Sequence, residues 1–522
     1  MSVSDKGFAI KRMHLHSPNL STPQSLEGLF TSLSINLDMR VPFINGTITI
    51  YDAQGYSELF PILGEELLEL EIETKNGRTN KIDSFKGLFR IYGTTPQERN
   101  STGVGAAYSL KFVSIEYFIN RRIKIYQSFL KRDNLNSPTS LPLSEIVKLV
   151  YNQHIKQQML ELYPDFAKDI ETEQTLRNYQ IIFPNMNPYS AILMSARRAI
   201  SADRLNNKGA TYIFFEDFDK FKFVSLESLM AVQPVRTYNL VPTALMESSA
   251  SLDPINLIDD FKVLKTFDVR DNIDEGMYSS KLITYDFERM LVRKFDYEYV
   301  PQLDMITQEV VIDGVKRKVV KKSITDPNTD TLIDRSKAIS PLGKLCTQNN
   351  DNLNHPFQSV HLVSSNMSHD IAFEKNLKEQ GGYKEKGIEP KQIEEYFLQR
   401  HSQLQQLENI KVGVTLKKSD STLKLGDMIE LNIPSETIAE NKNPNVPPAN
   451  HFFYGGKYII SKISHTISMS EDSLVTSLEL SKNSLDNPMP DFKPDVLQQE
   501  DIFNSDFTSD GTPRVTGQEY YE

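Results

Sequence analysis

The sequence predicts an α+β, β-rich protein with two similar small β-barrel domains and inserted α/β domains. Three observations predict this class. Segments of alternating apolar and polar residues dominate two regions far apart in the chain, helical spacing is confined to stretches between them, and the pattern of the first region recurs in the second. The length of 522 residues also predicts several domains, because single cores stop growing at roughly 250–300 residues.

The first predicted barrel occupies residues 1–115. Residues 33–39, 47–51 and 68–74 alternate between apolar and polar side chains, which is the pattern of a strand with one buried face. In residues 68–74 the apolar side chains alternate with three glutamates, so one face is apolar and the other acidic.

Helical spacing then predicts an α/β domain at 116–210. Residues 144–151 place apolar side chains on one helical face, and Asn187-Pro188 predicts the start of a second helix, since proline is favoured at the first helical position. Residues 211–245 follow as a hairpin that we expect to contribute to the second barrel.

The later part of the chain predicts a mixed α/β insertion with loops at 246–409, the second barrel at 410–485, and an acidic, proline-containing tail at 486–522. Asp313-Gly314 stands between two β-branched runs and predicts a two-residue hairpin turn. Residues 346–390 are polar and predict loops, whereas residues 392–407 predict a helix. The tail carries nine acidic and two basic residues, which is most of the chain's net charge of −11.

Three segments of the first barrel have counterparts in the second. The tripeptide Leu63-Gly64-Glu65, ahead of an alternating strand, resembles Leu425-Gly426-Asp427. The other matches are 86–91 with 456–461 and 108–113 with 475–480, in the same order and with comparable gaps. Duplication is favoured, and chance likeness between amphipathic strands is the alternative. Two such modules per chain, in three chains, would provide six modules that could pair edge to edge in a ring.

Composition excludes several classes of function. A net charge of −11 argues against a sequence-independent nucleic-acid binder, and the one dense basic run lies at 316–322. A single cysteine, Cys346, excludes an intrachain disulfide and zinc ligation by cysteine pairs, and it fits assembly in a reducing cytoplasm. The sequence has no signal-peptide pattern and no apolar run of about 18 residues, so we expect a soluble protein without a membrane anchor.

Candidate catalytic or metal-binding residues are few. His14 and His16 share one face of a predicted strand and could ligate a metal, but the expectation is a solvated pair in a flexible arm. His465 follows a strand and is expected to be a satisfied, partly buried histidine. Glu65 and Glu66 are adjacent and point to opposite faces, so they are expected to solvate a turn rather than hydrolyse a glycoside. Sequence motifs of metalloproteases, serine hydrolases and nucleotide-binding loops are absent, so the sequence predicts no enzyme, no catalytic, cofactor-binding or metal-ligating residue, and no cofactor.

The ordered set of these segments resembles the baseplate hub protein of T-even-like contractile-tailed phages, which is similar to the N-terminal part of the type VI secretion spike protein. The resemblance spans most of residues 28–482. The segments that carry it are 45–52 with 63–65, Asn187-Pro188 leading into 212–216, and 425–427 with 456–460 and His465.

The resemblance implies a homotrimer with pseudo-sixfold symmetry, whose two tube-like barrels per subunit match a hexameric tail tube and whose opposite side carries a trimeric central spike. It also implies that the second barrel is discontinuous, with the hairpin at 211–230 joining strands from 410–482. The implied partners are the central spike protein, the tail tube or tube-initiator protein and other baseplate proteins, with DNA only in transit. The implied place is the virion tail baseplate, assembled in the host cytoplasm.

This chain departs from the family pattern in two segments. Residues 300–400 form a longer insertion than the simplest members need, and the acidic tail after Asp486 has no counterpart that the sequence explains. No segment after the second barrel resembles a needle or a lysozyme domain, so we expect the spike to be a separate polypeptide. Two alternatives stay open, a hub of a non-viral contractile injection system and a cell-wall hydrolase.

Overall fold

The computed structural model describes most of the chain in separate ranges. They are residues 8–18, 21–53, 62–75, 82–95, 98–99, 105–129, 131–134, 137–139, 141–176, 178–179, 181–202, 209–241, 253–266, 268, 269–277, 279–286, 291–298, 307–312, 315–320, 359–364, 393–434, 450–451, 453–470 and 472–482. Asp313-Gly314, Cys346 and the predicted tail lie outside these ranges, as does the predicted loop region 346–390 apart from 359–364. Within the ranges, no helix is both long and apolar enough to span a bilayer.

The first module is an antiparallel sheet built from the alternating segments near the start of the chain. Its strands are β1 (Phe8–His16), β2 (Gln24–Ser25), β3 (Phe30–Asp38), β4 (Asn45–Asp52), β5 (Leu67–Lys75), β6 (Ile82–Thr94), β7 (Glu98–Arg99) and β8 (Ala106–Ser114). The six long strands pair in the order β3-β4-β8-β6-β5-β1, while β2 pairs with β1 and β7 pairs with β8. In β5 the predicted alternation holds, because Leu68, Leu70 and Ile72 are buried.

The α/β domain follows directly. Its helices are α1 (Ile115–Arg122), α2 (Leu143–Tyr151), α3 (Gln157–Leu162) and α4 (Pro188–Ala196), with a π-helical turn at Asn152–Lys156 and a 3-10 turn at Pro164–Phe166. Its strands are β9 (Ser128–Phe129), β10 (Lys131–Asn134), β11 (Ser137–Thr139), β12 (Leu141–Pro142), β13 (Asp169–Thr172), β14 (Asn178–Tyr179), β15 (Ile181–Ile182), β16 (Tyr212–Glu216) and β17 (Lys220–Ser225). The helices predicted near 144–151 and from Pro188 both form, and they pack together over an aromatic core.

The remaining elements contain a second module and an insertion. They are α5 (Leu226–Met230), β18 (Arg236–Asn239), a 3-10 turn (Pro254–Asn256), β19 (Ile258–Lys265), α6 (Val269–Asp274), β20 (Ser279–Asp286), β21 (Leu291–Glu298), β22 (Thr307–Ile312), β23 (Val315–Val320), β24 (Ser359–Ser364), α7 (Ile393–Leu407), β25 (Ile410–Leu416), β26 (Met428–Asn432), β27 (Gly456–Ser468) and β28 (Ser473–Lys482). The second module consists of β18, β19 and β25 to β28, paired in the order β18-β26-β27-β28-β25-β19.

The insertion contains two local structures that the sequence predicts. Strands β22 and β23 form a hairpin in which Ile312 is opposite Val315, as expected for a two-residue connection at Asp313-Gly314. Helix α7 forms at the predicted place and packs against β20, which pairs with β21 and β24.

The hairpin of β16 and β17 forms where predicted but joins a different sheet. It pairs with β13 in the α/β domain, whereas β18, later in the same 211–245 segment, is the strand that pairs with β26 of the second module. Both faces of the hairpin are covered, because Tyr212 and Phe214 face the α/β core while Phe215 faces the core of the modules. The expectation that the 211–230 hairpin itself joins strands of 410–482 is therefore wrong.

The β-rich class is confirmed, whereas barrel closure is not found. Among the described residues, the strand pairs leave both six-stranded sheets open, and an isolated bridge between Asn239 and Leu257 is the contact nearest to closing the second one. A continuous apolar core lies under both modules, and a separate core lies in the α/β domain.

Each module has a turn with a left-handed glycine ahead of an equivalent strand. Gly64 has φ of 87° before β5, and Gly426 has φ of 84° before β26. An acid closes each turn, since a carboxylate oxygen of Glu66 accepts from the Leu63 amide at 3.0 Å and one of Asp427 accepts from the Lys424 amide at 2.9 Å. The prediction that Glu65 and Glu66 solvate the turn agrees with Glu65, which is exposed, but is wrong for Glu66, whose side chain is buried as an internal cap.

We expect Gly64→Ala to lower the free energy of unfolding by about 1–2 kcal/mol, because an L side chain is strained at positive φ. Gly426→Ala should cost more, since an added Cβ would also lie 2.9 Å from Leu229 Cδ1. Urea unfolding measures both. Gly28→Ala is the matched control, as an added Cβ there meets nothing within 4 Å. Equal stability of all three variants would contradict the assignment of these turns.

Candidate assembly site at the module edges

The two modules share one strand order. Reading across each sheet, β1-β5-β6-β8-β4-β3 of the first corresponds to β18-β26-β27-β28-β25-β19 of the second. One pair differs in direction, because β1 is antiparallel to β5 while β18 is parallel to β26. The likeness seen in the sequence therefore extends to strands that share no recognisable pattern of residues.

Two irregularities in pairing fall at the same places in both sheets, whereas the shifts at Lys11 in β1 and at Leu264 in β19 have no counterpart in the other sheet. The register of β6 on β8 shifts at Tyr92, and the register of β27 on β28 shifts at Ser461. A second shift occurs at Thr31 in β3 and at Asp259 in β19. Bulges are specific local features, so two matching bulges favour duplication over chance likeness and define which residues are equivalent.

The modules meet through strand β27, which changes partner along its length. Residues 456–459 pair with β26, and residues 462–468 pair with residues 32–38 of β3 while β28 continues along the opposite edge. Across this seam the Ser464 hydroxyl donates to Asn36 Oδ1 at 2.7 Å. The backbone groups at the edge of β3 are thereby satisfied by a strand of the other module.

A charged network fixes one end of the seam. Arg40 donates to Asp38 Oδ2 at 2.9 Å on its own module and to Glu479 Oε1 at 3.3 Å on the second. Lys411 also pairs with Glu479, at 3.5 Å. The hydrogen bonds that Arg40 donates to the Asp38 carboxylate raise the pKa of its guanidinium, although partial burial opposes that shift.

Two strand edges equivalent to those in the seam have no partner among the described residues. One is the outer edge of β19, the second-module equivalent of β3. The other is the edge formed by residues 93–95 and β7, the first-module equivalent of residues 462–467 of β27. Unpaired edges favour pairing with another strand.

A cavity of about 390 Å³ lies beside the seam. Apolar side chains from both modules line it: Leu33, Ile35, Ile72, Leu423, Ile467 and Leu474. Two of its acids are engaged, because Asp219 Oδ2 accepts from Lys424 Nζ at 2.9 Å and Asp83 Oδ2 accepts from the Ser421 hydroxyl at 3.1 Å. These acids connect the first module and the hairpin loop to the second module.

A buried carboxylate connects the first module to the α/β domain. Glu216, at the end of β16, accepts from the Ile44 amide at 3.0 Å and the Ser114 hydroxyl at 2.7 Å, both in the first module. Its other oxygen accepts from Lys168 Nζ at 2.6 Å. Burial and the nearby Glu216 charge raise the pKa of Glu116 to about 7.

The histidines and glutamates singled out from the sequence do not lie together in one site. His14 and His16 share one face as predicted, but they lie in the paired strand β1 rather than in a flexible arm, and His16 Nε2 is 3.1 Å from Glu69 Oε2. His465 contacts Thr476 Oγ1 at 3.0 Å, and its burial lowers its pKa to about 4, so the expectation of a satisfied histidine is confirmed. Among the described side chains, no three His, Cys, Asp or Glu are grouped as metal ligands would be.

Sequence reasoning missed Glu216, Arg40 and the second role of Asn187. The side chain of Asn187 does not cap α4 but donates to the carbonyls of Asn120, at 2.7 Å, and Ile123, at 3.0 Å, at the end of α1. A single signal could have pointed to Glu216, namely an acid that ends the apolar run Tyr-Ile-Phe-Phe.

No protein-family model matches the chain, and no curated protein matches it. Among solved structures, it is similar to a tail protein from Neisseria meningitidis, with 12% identity, a TM-score of 0.43 and coverage of 92% of this chain and 98% of that one. It is also similar to the 43 kDa tail protein of prophage MuSo2 from Shewanella oneidensis, with 8% identity, a TM-score of 0.41 and coverage of 92% and 100%.

A third similar structure is an Escherichia coli component of the type VI secretion system, itself described as structurally similar to bacteriophage T4 tail proteins. Identity is 9%, the TM-score is 0.34, and coverage is 90% of this chain and 77% of that one. All three are tail or secretion-system proteins, the group that the sequence resembles. The likenesses are distant, so the function proposed below rests on the strand pairing of this chain.

We expect Glu216→Ala to lower the free energy of unfolding by about 3–5 kcal/mol, because it leaves the buried Lys168 ammonium without its hydrogen-bonded partner. Urea unfolding measures the loss. Glu171→Ala is the matched control, since Glu171 pairs with Lys220 at an exposed position and should cost less than about 1 kcal/mol. Similar losses in the two variants would show that Glu216 does not hold the domains together.

We expect Glu116 to lower stability as pH rises, in opposition to buried His465, whose lowered pKa favours folding as pH rises toward 6.5. The pKa of Glu116 is raised from 4.5 to about 7 on folding, so its contribution is fully present below 4.5 and is lost as pH rises through about 7. From about pH 5 to about pH 8 the unfolding free energy of the wild type should fall by roughly 1–3 kcal/mol relative to that of Glu116→Gln, because the contribution of His465 is common to both proteins and cancels. Glu145→Gln, at an exposed helical position, should leave the wild-type slope unchanged. An unaltered slope in Glu116→Gln would refute the assignment.

Proposed function

We propose that this chain is the structural central hub of a contractile phage tail baseplate. Three copies form a ring of six modules that adapts a hexameric tail tube to a trimeric central spike. The observation that carries the proposal is the seam between β27 and β3, where two modules of one strand order are already joined edge to edge within one chain. A threefold assembly of such chains presents six similar units to a sixfold partner.

The proposed partners are other copies of this chain, the central spike protein, the tail tube or tube-initiator protein and other baseplate proteins. DNA is a passing cargo and not a bound ligand. Negative charge would help DNA to pass if it lines the conduit, since a basic conduit would retain phosphates. The proposed place is the virion tail baseplate after assembly in the host cytoplasm.

The proposed role is mechanical and not enzymatic. Within the described residues, the acids beside the seam are engaged in ion pairs or hydrogen bonds that hold elements together. A turnover assay on peptidoglycan tests the cell-wall hydrolase alternative, and clear activity would favour it. A hub of a non-viral contractile injection system would share the same ring, and genome neighbours that encode capsid and terminase proteins would support the phage assignment.

The proposal predicts the mass of the protein in solution. Light scattering after size exclusion should give three times the mass of one chain for the protein alone, or that mass plus three spike chains for the complex with the spike protein. Negative-stain images should show a ring with a central hole. The assembly should persist in about 0.5 M salt, since paired strand edges depend little on screened surface charge. A stable monomer that binds neither spike nor tube would refute the proposed function.

A further inference from the structure

We propose that copies of this chain join head to tail through one defined strand pair. The edge made by residues 93–95 and β7 of one copy pairs antiparallel with β19 of the next copy. This seam rests on the proposed function, because it presumes that the chain assembles with itself, but it names the surfaces and the register by which it does so.

The inference follows from the equivalence of the modules. Within the chain, residues 462–467 of β27 pair with β3. Gly93 is opposite Lys111 in the first module, just as Lys462 is opposite Glu479 in the second. The edge made by residues 93–95 and β7 is therefore the first-module equivalent of residues 462–467. The second-module equivalent of β3 is β19. The same kind of pair can therefore form between the two remaining edges.

Those two edges cannot meet within one chain in the way that β27 meets β3, because each lies at the far side of its own module in the common sheet. A contact between two different surfaces is heterologous, and such contacts repeat from copy to copy to give a closed ring or, where the rotation between copies does not close, an open filament. The proposed hub requires the ring. Seams within chains would then alternate with seams between chains around the ring.

Side chains are more exposed along the two unpaired edges than along the paired edge of β3. Ile35 in β3 is 3% exposed, whereas Val263, at the equivalent place in β19, is 40% exposed, and the neighbouring Leu264 is 53% exposed. Beside the other unpaired edge, Tyr92 at the bulge of β6 is 53% exposed, whereas Ser461 at the equivalent bulge of β27 is buried. Exposed apolar and tyrosine side chains along an unpaired strand edge are features of a surface that a partner covers.

The register of the seam within the chain, applied between copies, places two opposite charges across from each other. Within the chain, Thr466 is opposite Ser34. Glu98 is the first-module equivalent of Thr466, and Lys262 is the second-module equivalent of Ser34. The proposed register therefore places Glu98 of one copy opposite Lys262 of the next. Opposite charges directly across a strand pair are favourable, and like charges are unfavourable. The Lys262 ammonium is available for this role, because its present pairing with Asp260, at 3.0 Å, is highly exposed and contributes little.

Disulfide trapping tests the register. In a Cys346→Ser background, Glu98→Cys with Lys262→Cys should give a covalent trimer on a non-reducing gel after mild oxidation with copper phenanthroline, since opposite Cα atoms in a strand pair lie about 4.5–5.5 Å apart. Glu98→Cys with Lys265→Cys is the matched control. Those positions lie too far apart in the proposed register for a disulfide and should stay uncrosslinked.

Charge reversal gives an independent measure that needs no oxidation. Glu98→Lys or Lys262→Glu alone should weaken self-association roughly tenfold, and the two changes in one chain should restore it, because each seam then again pairs opposite charges. Dilution series by light scattering measure the change.

The outcomes separate this seam from the proposed function. Trapping of the matched pair alone, with rescue by the double reversal, supports the seam. A stable trimer that traps neither pair, or traps both equally, overturns the seam and leaves the hub proposal standing. A monomer under all conditions overturns both.

Discussion

The architecture depends on one strand that pairs with two modules. Strand β27 is long enough to complete the second module with residues 456–459 and then to satisfy the edge of β3 with residues 462–468. A shift in register at Ser461 marks the place where the strand changes partner. Without this continuation, β3 would expose a row of unpaired backbone groups, and the two modules would have no fixed geometry. The common core beneath them follows from this pairing, because it places the inner faces of both sheets on one side.

A second constraint is the hairpin of β16 and β17, which lies between two cores. Alternation directs Phe214 into the α/β core and Phe215 into the core of the modules, so neither face is free. At the end of β16, Glu216 binds the Ile44 amide and Lys168, and thereby couples the first module to the α/β domain. A buried ion pair of this kind contributes little net stability, but the loss of one partner is costly because it leaves an uncompensated buried charge. The α/β domain therefore contacts the first module through Glu216 and the common core of both modules through Phe215.

These features agree with the mechanical role proposed above, because polar groups between the modules serve as connections. Charged groups around the seam are used for connection: Arg40 joins Asp38 to Glu479, and Lys424 joins the second module to Asp219 of the hairpin loop. In the proposed hub, a duplicated module would resolve a mismatch of symmetry, because three chains would present six similar surfaces. The same duplication accounts for two equivalent strand edges, one on each module, that lack a partner among the described residues.

The sequence by itself determined the local structure. Alternation assigned the inward and outward faces of β5, Asn187-Pro188 placed the start of α4, and the shared Leu-Gly-acid turns revealed the related modules, since each of these signals depends on residues close together in the chain. Only the tertiary structure decided that β18, four residues with no distinctive pattern, completes the second module in place of the hairpin, and that β27 extends to β3. Periodicity reports which face of a strand is buried, whereas the choice of neighbour at each edge depends on pairing between residues hundreds of positions apart, which no local pattern records.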